Sequence, residues 1–444
     1  MEKIISLCKR RGFVFPGSEI YGGMANSWDY GPLGVELKNN IKNLWWKKFV
    51  SERDDMVGLD AALIMNPKVW EASGHLANFT DPLVECSICK DRFRFDVIQA
   101  QEPSNSDGTY NCPNSKASNI KLGESKHHGI LSKPRQFNLM LKTFIGPAEE
   151  SANVAYFRPE TAQAIFTNFK NVLQTSRKTL PFGIAQVGKA FRNEITPGNF
   201  IFRTREFEQM EIEYFIRESD WKKYFEMLVG LMREWISEVG INSKDVEEIE
   251  VKDLAHYSKR TVDFEYKFPF GQKELYGLAY RGDFDLSNHQ KFSGENLEYK
   301  EEETEKPFIP HVIEPSLGVD RTLLAVLCSA YDDSDGERLV LKLKPKLAPF
   351  KAAVFPLLRN KPELVELARK VYLDLKKKFN VAWDDRGNIG KRYYSQDEIG
   401  TPYCITVDFD SLTDTSVTVR ERDSAKQERI KIGELESFIS KSLE

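Results

Sequence analysis

The sequence predicts a chain of mixed α and β character in two parts, a larger N-terminal part of strand hairpins and amphipathic helices followed by a C-terminal α/β unit. Three observations predict it. Residues 184–194 and 205–212 alternate with a period of two on either side of a turn signal, as paired strands do. Residues 31–50 and 221–239 carry apolar residues at helical spacing. After the proline-marked stretch KLKPKLAPF, 342–350, patterns of strand, helix, strand and strand follow within about 100 residues, enough for a domain.

In chain order, GPLGVELKNNIKNLWWKKFV, 31–50, places Val35, Leu37, Ile41, Leu44, Trp45 and Phe49 near helical spacing, an amphipathic helix entered through a Gly-Pro turn. Residues 82–134 are polar, rich in Ser, Asn, Lys and Gly, and read as an insertion extending from the main fold. Ile184, Gln186, Gly188, Ala190, Arg192 and Glu194 share one strand face. After the cluster Thr196-Pro197-Gly198-Asn199, Arg205, Phe207, Gln209 and Glu211 share a face, with Glu206, Glu208, Met210 and Ile212 on the other. Burying unpaired charge is costly, so a face of Arg, Glu, Phe and Gln is either solvated or built around a charged ligand with an aromatic part. Trp221 to Val239 reads as a helix with Tyr224, Phe225, Leu228, Leu231, Met232, Trp235 and Ile236 on one side. Alternation returns in 261–286 with Gly and Pro punctuation, predicting further strands, and EEETEK, 301–306, reads as a solvated loop. IEPSLGVDRTLLAVLCSAY, 313–331, is a short strand, then Gly318, then a helix burying Leu323, Leu324, Val326 and Leu327, with Arg321 in its first turn. Beyond it KAAVFPL is a strand, 362–379 a helix, and YCITVDF and SVTVRER are strands.

At 444 residues the chain exceeds one ordinary core, and a hydrophobic content of 41% with 12% aromatic residues is that of a globular protein. Apolar runs fall well short of the roughly 20 residues of a membrane span, and the first residues lack the apolar stretch of a signal peptide, so a cytoplasmic location is expected. A net charge of −4 neither suggests nor excludes a nucleic-acid partner. Of six cysteines, Cys86, Cys89 and Cys112 cluster as C-x2-C followed by C-P, closer to a zinc knuckle than to a disulfide framework. Where a second C-x2-C would end, position 115 is serine; His127 or His128 could complete a set of four, and reduced thiols in a loop are the alternative.

There is no G-x4-G-K-[ST] loop, no G-x-G-x-x-G after a strand, no H-E-x-x-H and no G-x-S-x-G elbow, so a nucleotide would have to be held by side chains. Arginine is a permanently charged planar fork suited to phosphate, and a ring such as Phe207 offers a base a stacking face. An arginine in the first turn of a helix opposes the helix dipole, which makes an anionic partner for Arg321 reasonable; a salt bridge to Asp320 or a nearby glutamate is the alternative.

FRNE, 191–194, with its loop and REFEQMEIEYF, 205–215, resembles motif 2 of the class II aminoacyl-tRNA synthetases. EPSLGVDR, 314–321, resembles motif 3, and WDYGPLGVELKNNIKNLWW, 28–46, resembles motif 1 with its dimer-forming helix. With FRPETAQ (157–163), RQFNLM (135–140) and IGKRYYSQDEIGTPYCITVDFD (389–410), the resemblance is to the homodimeric glycyl-tRNA synthetases, and it is weakest in 82–133. It implies an α+β class II catalytic core, an antiparallel sheet flanked by helices, over 1–345 with the insertion 82–134, and an anticodon-binding domain over 346–444.

The implied reaction joins glycine and ATP into glycyl-adenylate with release of pyrophosphate, then transfers glycine to the 3′ end of tRNA-Gly. By the resemblance Arg192 holds the α-phosphate, Glu194 the adenine edge, Phe207 stacks on adenine, and Arg203 and Arg321 contact the phosphate tail. Asn193, Phe202, Thr204, Arg205, Glu206, Leu275, Val319 and Asp320 complete the implied ATP site. Glu274 and Glu314 are implied as ATP and Mg2+ ligands, and arginines and Mg2+ aimed at the developing charge lower the barrier without a protein nucleophile. Glu160, Glu211 and Ser316 are implied for the glycine pocket, with Arg94, Phe207, Glu208, Gln209, Met210, Glu314, Pro315, Leu317 and Gly318 around it. Carboxylates around an ammonium make charge-assisted hydrogen bonds, and a pocket closed behind the α-carbon turns even alanine's methyl into a clash of about 1–3 kcal/mol.

In the C-terminal part, Arg386, Lys391, Arg392, Tyr393 and Tyr394 mix charge and aromatic rings as single-stranded RNA recognition requires, with a solvated basic turn as the alternative. Two other readings share these motifs. A threonine or proline enzyme is disfavoured by FRPETAQ with Glu211 and Ser316, and a non-catalytic synthetase-like accessory protein by the retention of Arg192, Glu194, Phe207 and Arg321.

Overall fold

The computed structural model describes residues 1–101, 104–116, 129–147, 153–196, 198–301, 306–334, 336 and 338–443. Pro197, most of the 301–306 charge run, and His127 and His128 lie outside the described residues.

Seven strands form the central sheet: β1 (Met56–Gly58), β2 (Phe182–Phe191), β3 (Glu206–Ile216), β4 (Val246–Glu250), β5 (Arg260–Phe268), β6 (Gly271–Gly282) and β7 (His311–Gly318). Their order is β4-β5-β6-β7-β3-β2-β1, antiparallel except for the parallel β1–β2 pair. The alternation read in 184–212 is the β2–β3 pair, with Gln186 opposite Glu211 and Ala190 opposite Phe207. Strand β2 ends at Phe191, so Arg192 and Glu194 do not continue the pleat; the Glu194 N–H turns back to the Arg192 carbonyl at 2.8 Å. The supposed turn after them is a longer loop that buries Phe200, Ile201 and Phe202. The alternation expected to run to 286 ends at Gly282, where a helix takes over.

Met210, Ile212, Tyr214 and Ile216 of β3 join one face to the main hydrophobic core. Three helices cover that face: α1 (Pro32–Trp46), α3 (Trp221–Glu238) and α5 (Val319–Ala330). The buried stripe of α1 is Leu33, Leu37, Ile41 and Trp45, an i, i+4 row, which turns Val35 outward contrary to expectation. Gly34 is required there, because a Cβ would stand 1.8 Å from the Phe13 carbonyl oxygen. Helices α2 (Ala162–Ser176) and α4 (Phe284–Ser293) pack on the opposite face through Ile165, Phe166, Phe169 and Leu286, against Phe182, Ile184 and Phe215. The remainder of that face, around Phe207, Gln209 and Glu211, is left for the site.

The insertion carries a small antiparallel sheet of Thr80–Glu85, Arg92–Arg94 and Arg135–Asn138. Beyond 350 a second sheet contains β8 (Ala352–Pro356), β9 (Val381–Trp383), β10 (Tyr403–Val407), β11 (Ser416–Glu421) and β12 (Gln427–Lys431), in the order β9-β8-β10-β11-β12. Its first three strands are parallel, and helices α6 (Pro362–Lys376), α7 (Ile389–Asp397) and α8 (Leu435–Ser442) complete the unit. The two parts are joined by buried charge: Asp397 is bound by Arg338 and Arg420, and Arg422 donates to the Leu343 carbonyl at 2.8 Å. Arg392 and Tyr393, expected to face RNA, are structural. Arg392 is 2% exposed and donates to the carbonyls of Pro356, Asp385, Arg386 and Gly387, and the Tyr393 hydroxyl meets Thr406. Tyr394 remains exposed.

Candidate active site

The β2–β3 pair, β6 and the β7–α5 junction converge on a cleft of about 140 Å3 lined by Arg192, Glu194, Phe202, Arg203, Thr204, Phe207, Glu274, Leu275, Gly318, Asp320 and Arg321. The Arg192 guanidinium lies 5.3 Å from the rings of both Phe79 and Phe207, and its Nε donates to the Pro159 carbonyl at 3.0 Å. Arg321 is held 3.3 Å from the Glu274 carboxylate and 4.5 Å from the Phe202 ring; its acidic partner is therefore Glu274 rather than its neighbour Asp320. The Arg321 charge keeps Glu274 below the usual carboxylate range against the effect of burial. Burial, reinforced by the like charges of Arg94 and Arg321, brings Arg203 down, although Glu194 stands 3.9 Å away. Three guanidinium groups and an aromatic ring in one cleft make a site for a polyanion with a planar part.

Four residues along β3 from Phe207 the cleft gives way to a pocket of carboxylates. Glu211 accepts the Thr161 N–H at 3.0 Å and the Thr161 hydroxyl on one oxygen, and Gln209 and Ser316, each at 2.7 Å, on the other. Burial and the neighbouring Glu160 raise the Glu211 carboxyl. Burial pushes Glu160 the same way, but His75 at 3.3 Å, Arg281 and Gln163 outweigh it and hold Glu160 well below its ordinary range. The two acids thus sit in one pocket with opposite shifts, because burial and the charge on Glu160 disfavour a second anion at Glu211.

Behind them Arg281, fully buried, donates to both oxygens of Asp285 and both of Glu314 at 2.8–3.0 Å, with its guanidinium 3.9 Å from the Tyr257 ring centre. Gln163 bridges Glu160, Asp285 and His289. Glu213 is wholly buried with a hydrogen-bond partner for neither oxygen, and the flanking pairs of β3 and β7 set it opposite Glu314. Burial carries both acids up, Glu314 to about 8 and Glu213 well above its ordinary value. From the sequence alone no role falls to Thr161, Gln163, His75, Asp285, Glu213, Arg281 or His289. A signal existed for Arg281: Gly277 and Ala279 lie opposite Ser316 and Glu314, so two small residues precede it on the site face of β6.

The structure does not bring every expected residue to the site. Met210, Leu317 and Val319 have the other parity and enter the core. Glu208 lines the cleft but its carboxylate pairs with Lys38 and Lys42, and Glu206 pairs with Lys189. Arg205 donates to the Ala25 carbonyl, and the Asn193 N–H to that of Leu139. Pro315 is buried within β7. Arg94, on the insertion, is held by Asp81 and Asp96 and stands at the edge of the cleft, close enough for its charge to act on Arg203. Glu274 and Glu314 are not one metal site. Glu314 lies opposite Ala279, five residues or roughly 16 Å along β6 from Glu274, and both its oxygens are taken by Arg281. Among the described residues the one group of three or more ligand atoms close enough to share an ion is Cys86, Cys89 and Cys112.

The family described as tRNA synthetase class II core domain (G, H, P, S and T) matches residues 145–330, and the Anticodon binding domain matches 351–442. The chain is 52% identical over its full length to the glycine–tRNA ligases of Geobacillus thermodenitrificans and Clostridium beijerinckii, covering 97% and 98% of them, and 50% identical to that of Thermobifida fusca, covering 98%. The chain belongs to the glycine–tRNA ligase family of class II tRNA synthetases. For this family member the fold is a class II core followed by an anticodon-binding domain, and the cleft and pocket lie within the matched core except for His75 and Phe79. Among the described residues no helix is long and apolar enough to cross a membrane.

Proposed function

We propose that the chain is a glycine–tRNA ligase that activates glycine with ATP, releases pyrophosphate, and transfers the glycyl group to the 3′ end of tRNA-Gly. What supports the reading is a juxtaposition on β3: Phe207 stands in the arginine-lined cleft, and Glu211, four residues on, in the carboxylate pocket. ATP lies in the cleft with adenine on Phe207 beside Glu194 and its phosphates on Arg192, Arg203 and Arg321. The glycine ammonium enters between Glu160 and Glu211, with Gln209 and Ser316 fixing the Glu211 oxygen and Arg281 fixing the wall at Glu314.

In this arrangement the glycine carboxylate attacks the α-phosphorus while the arginines neutralise charge that grows on the phosphate oxygens, so positioning and electrostatics carry the step. Mg2+ entering with ATP would further neutralise the departing pyrophosphate. Glu274, which lines the cleft and is kept ionised by Arg321, is the carboxylate suited to meet it, whereas Glu314 is engaged by Arg281.

Residues 1–345 act as the catalytic domain with its insertion 82–134, and 346–444 as the anticodon-binding domain. The chain works as a cytoplasmic homodimer, a reading supported by the exposed apolar side chains of Ile20, Tyr21 and Met24 ahead of α1. The deciding experiment is ATP–pyrophosphate exchange with glycine beside alanine, serine, threonine and proline. Exchange with glycine alone is the expected result; exchange with none of the five would remove the reading.

A further inference from the structure

Among the described residues the core of the insertion is Val84, Cys86, Ile98, Cys112 and Leu131, with Cys89, Phe93, Phe95 and Tyr110 packed against it, and a bound metal is one of the staples by which a small lobe is held. Two arms meet at its centre. One is the tight turn after Thr80–Glu85, where Lys90 adopts a positive φ of 63° and its N–H returns to the Cys86 carbonyl at 3.2 Å. The other enters at Cys112, whose N–H donates to Gly129 at 2.8 Å.

The sulfurs of Cys86, Cys89 and Cys112 lie within 4.8 Å of one another where these arms meet. The Cys89 and Cys112 sulfurs are 3.8 Å apart. A tetrahedral ion with metal–sulfur bonds of about 2.3 Å spaces its sulfurs about 3.8 Å apart. Disulfide sulfurs, by contrast, stand about 2.05 Å apart. Donors that stabilise thiolates are also present: the Ile88 N–H is 3.4 Å from the Cys86 sulfur, and the Asn114 amide 3.7 Å from that of Cys89.

We propose that Cys86, Cys89 and Cys112 bind one thiophilic divalent cation of the zinc class through three thiolates. Binding displaces three thiol protons and closes the turn onto the Cys112 arm. The strand that follows the turn, Arg92–Arg94, carries Arg94, which is joined to Asp81 at 2.9 Å on the preceding strand. The ion therefore fixes the hairpin that presents Arg94, and the proposal does not depend on which amino acid the enzyme activates.

The full-length chain, reduced and freed of metal by a chelator, is titrated with Co2+ and followed by absorption. The expected result is a thiolate-to-cobalt band in the near ultraviolet that saturates at one equivalent and is abolished by one equivalent of Zn2+. Cys89→Ser should weaken Co2+ binding by at least about ten-fold, the size of effect that even an outer-shell change produces. Cys328→Ser, which removes a thiol elsewhere, should leave binding unchanged. Absence of a saturable band in the wild-type chain would overturn the proposal, as would an equal loss in Cys328→Ser or a Cys89–Cys112 disulfide found by peptide mapping of the natively purified protein.

Discussion

Through one carboxylate oxygen Glu211 takes both the backbone N–H and the hydroxyl of Thr161. The contact ties β3 to the start of α2, and with Gln209 and Ser316 on the other oxygen it fixes the carboxylate plane before any ligand arrives. Glu211→Gln keeps the shape but places an amide nitrogen where only donors converge. Hydrogen bonds to a charged group are worth about 1.5–3 kcal/mol, so glycine-dependent pyrophosphate exchange should fall roughly ten- to 150-fold in kcat/KM for glycine. Circular dichroism should be unchanged; near-normal exchange would remove Glu211 from the proposed pocket.

Arg321 is aimed by two fixed partners, the Glu274 carboxylate and the Phe202 ring. Lysine keeps the charge but loses the planar fork and the ring contact. Arg321→Lys should raise KM for ATP by about ten-fold, a loss of about 1.4 kcal/mol, with KM for glycine nearly constant. Steady-state kinetics in both substrates distinguishes this from a general loss of fold, which would move both.

The pair Glu213 and Glu314 makes stability depend on pH. Burial first, then the neighbouring carboxylates, push both up, Glu314 to about 8 from an ordinary 4.5, despite Arg281. The folded chain therefore keeps protons that the unfolded chain has already released. This contribution is complete below the unfolded value and is lost as pH rises through the folded one. The melting temperature should fall from about pH 5 to about pH 8, and Glu213→Gln should flatten the fall. A variant as pH-sensitive as the parent chain would exclude Glu213 as a proton holder.

Asp397, with none of its side chain exposed, receives Arg338 from the connecting segment and Arg420 from β11. Removing it strands two cations, one of them fully buried. Asp397→Ala should cost about 3–5 kcal/mol, the usual effect of breaking a buried ion pair from one side, read as a lower denaturation midpoint. A change below about 1 kcal/mol would show that water reaches both arginines.

Much of this arrangement could be read from the residues. Period-two spacing set Phe207, Gln209 and Glu211 on one face because strand geometry leaves no other choice. The strand–glycine–helix pattern of 313–331 likewise located Arg321. Legibility failed where contacts link distant segments. Glu160 and His75 meet only because α2 and the loop before it dock on the sheet, and nothing local to either residue announces the pairing. Arg392 looked like an RNA contact because its charge is visible in the sequence and the four carbonyls that surround it are not. Strands β9 and β12 escaped notice because one has three residues and the other is a polar edge. Val35 shares its face of α1 with Lys38, Asn39 and Lys42, so its own apolar character misleads where its neighbours three, four and seven residues on do not.

The alternation of β3 also bears on how this gene can change over time. From Phe207 to Ile216 one set of positions reads toward the ligand cleft and its neighbouring pocket, and the set between them reads toward the core. A point mutation edits one side and leaves the other intact. A single inserted or deleted codon within 208–210 would exchange the two, sending carboxylates into the core and Met210 or Ile212 into the substrate pocket. The spacing between Phe207 and Glu211 thus matters to the site as much as the two residues themselves.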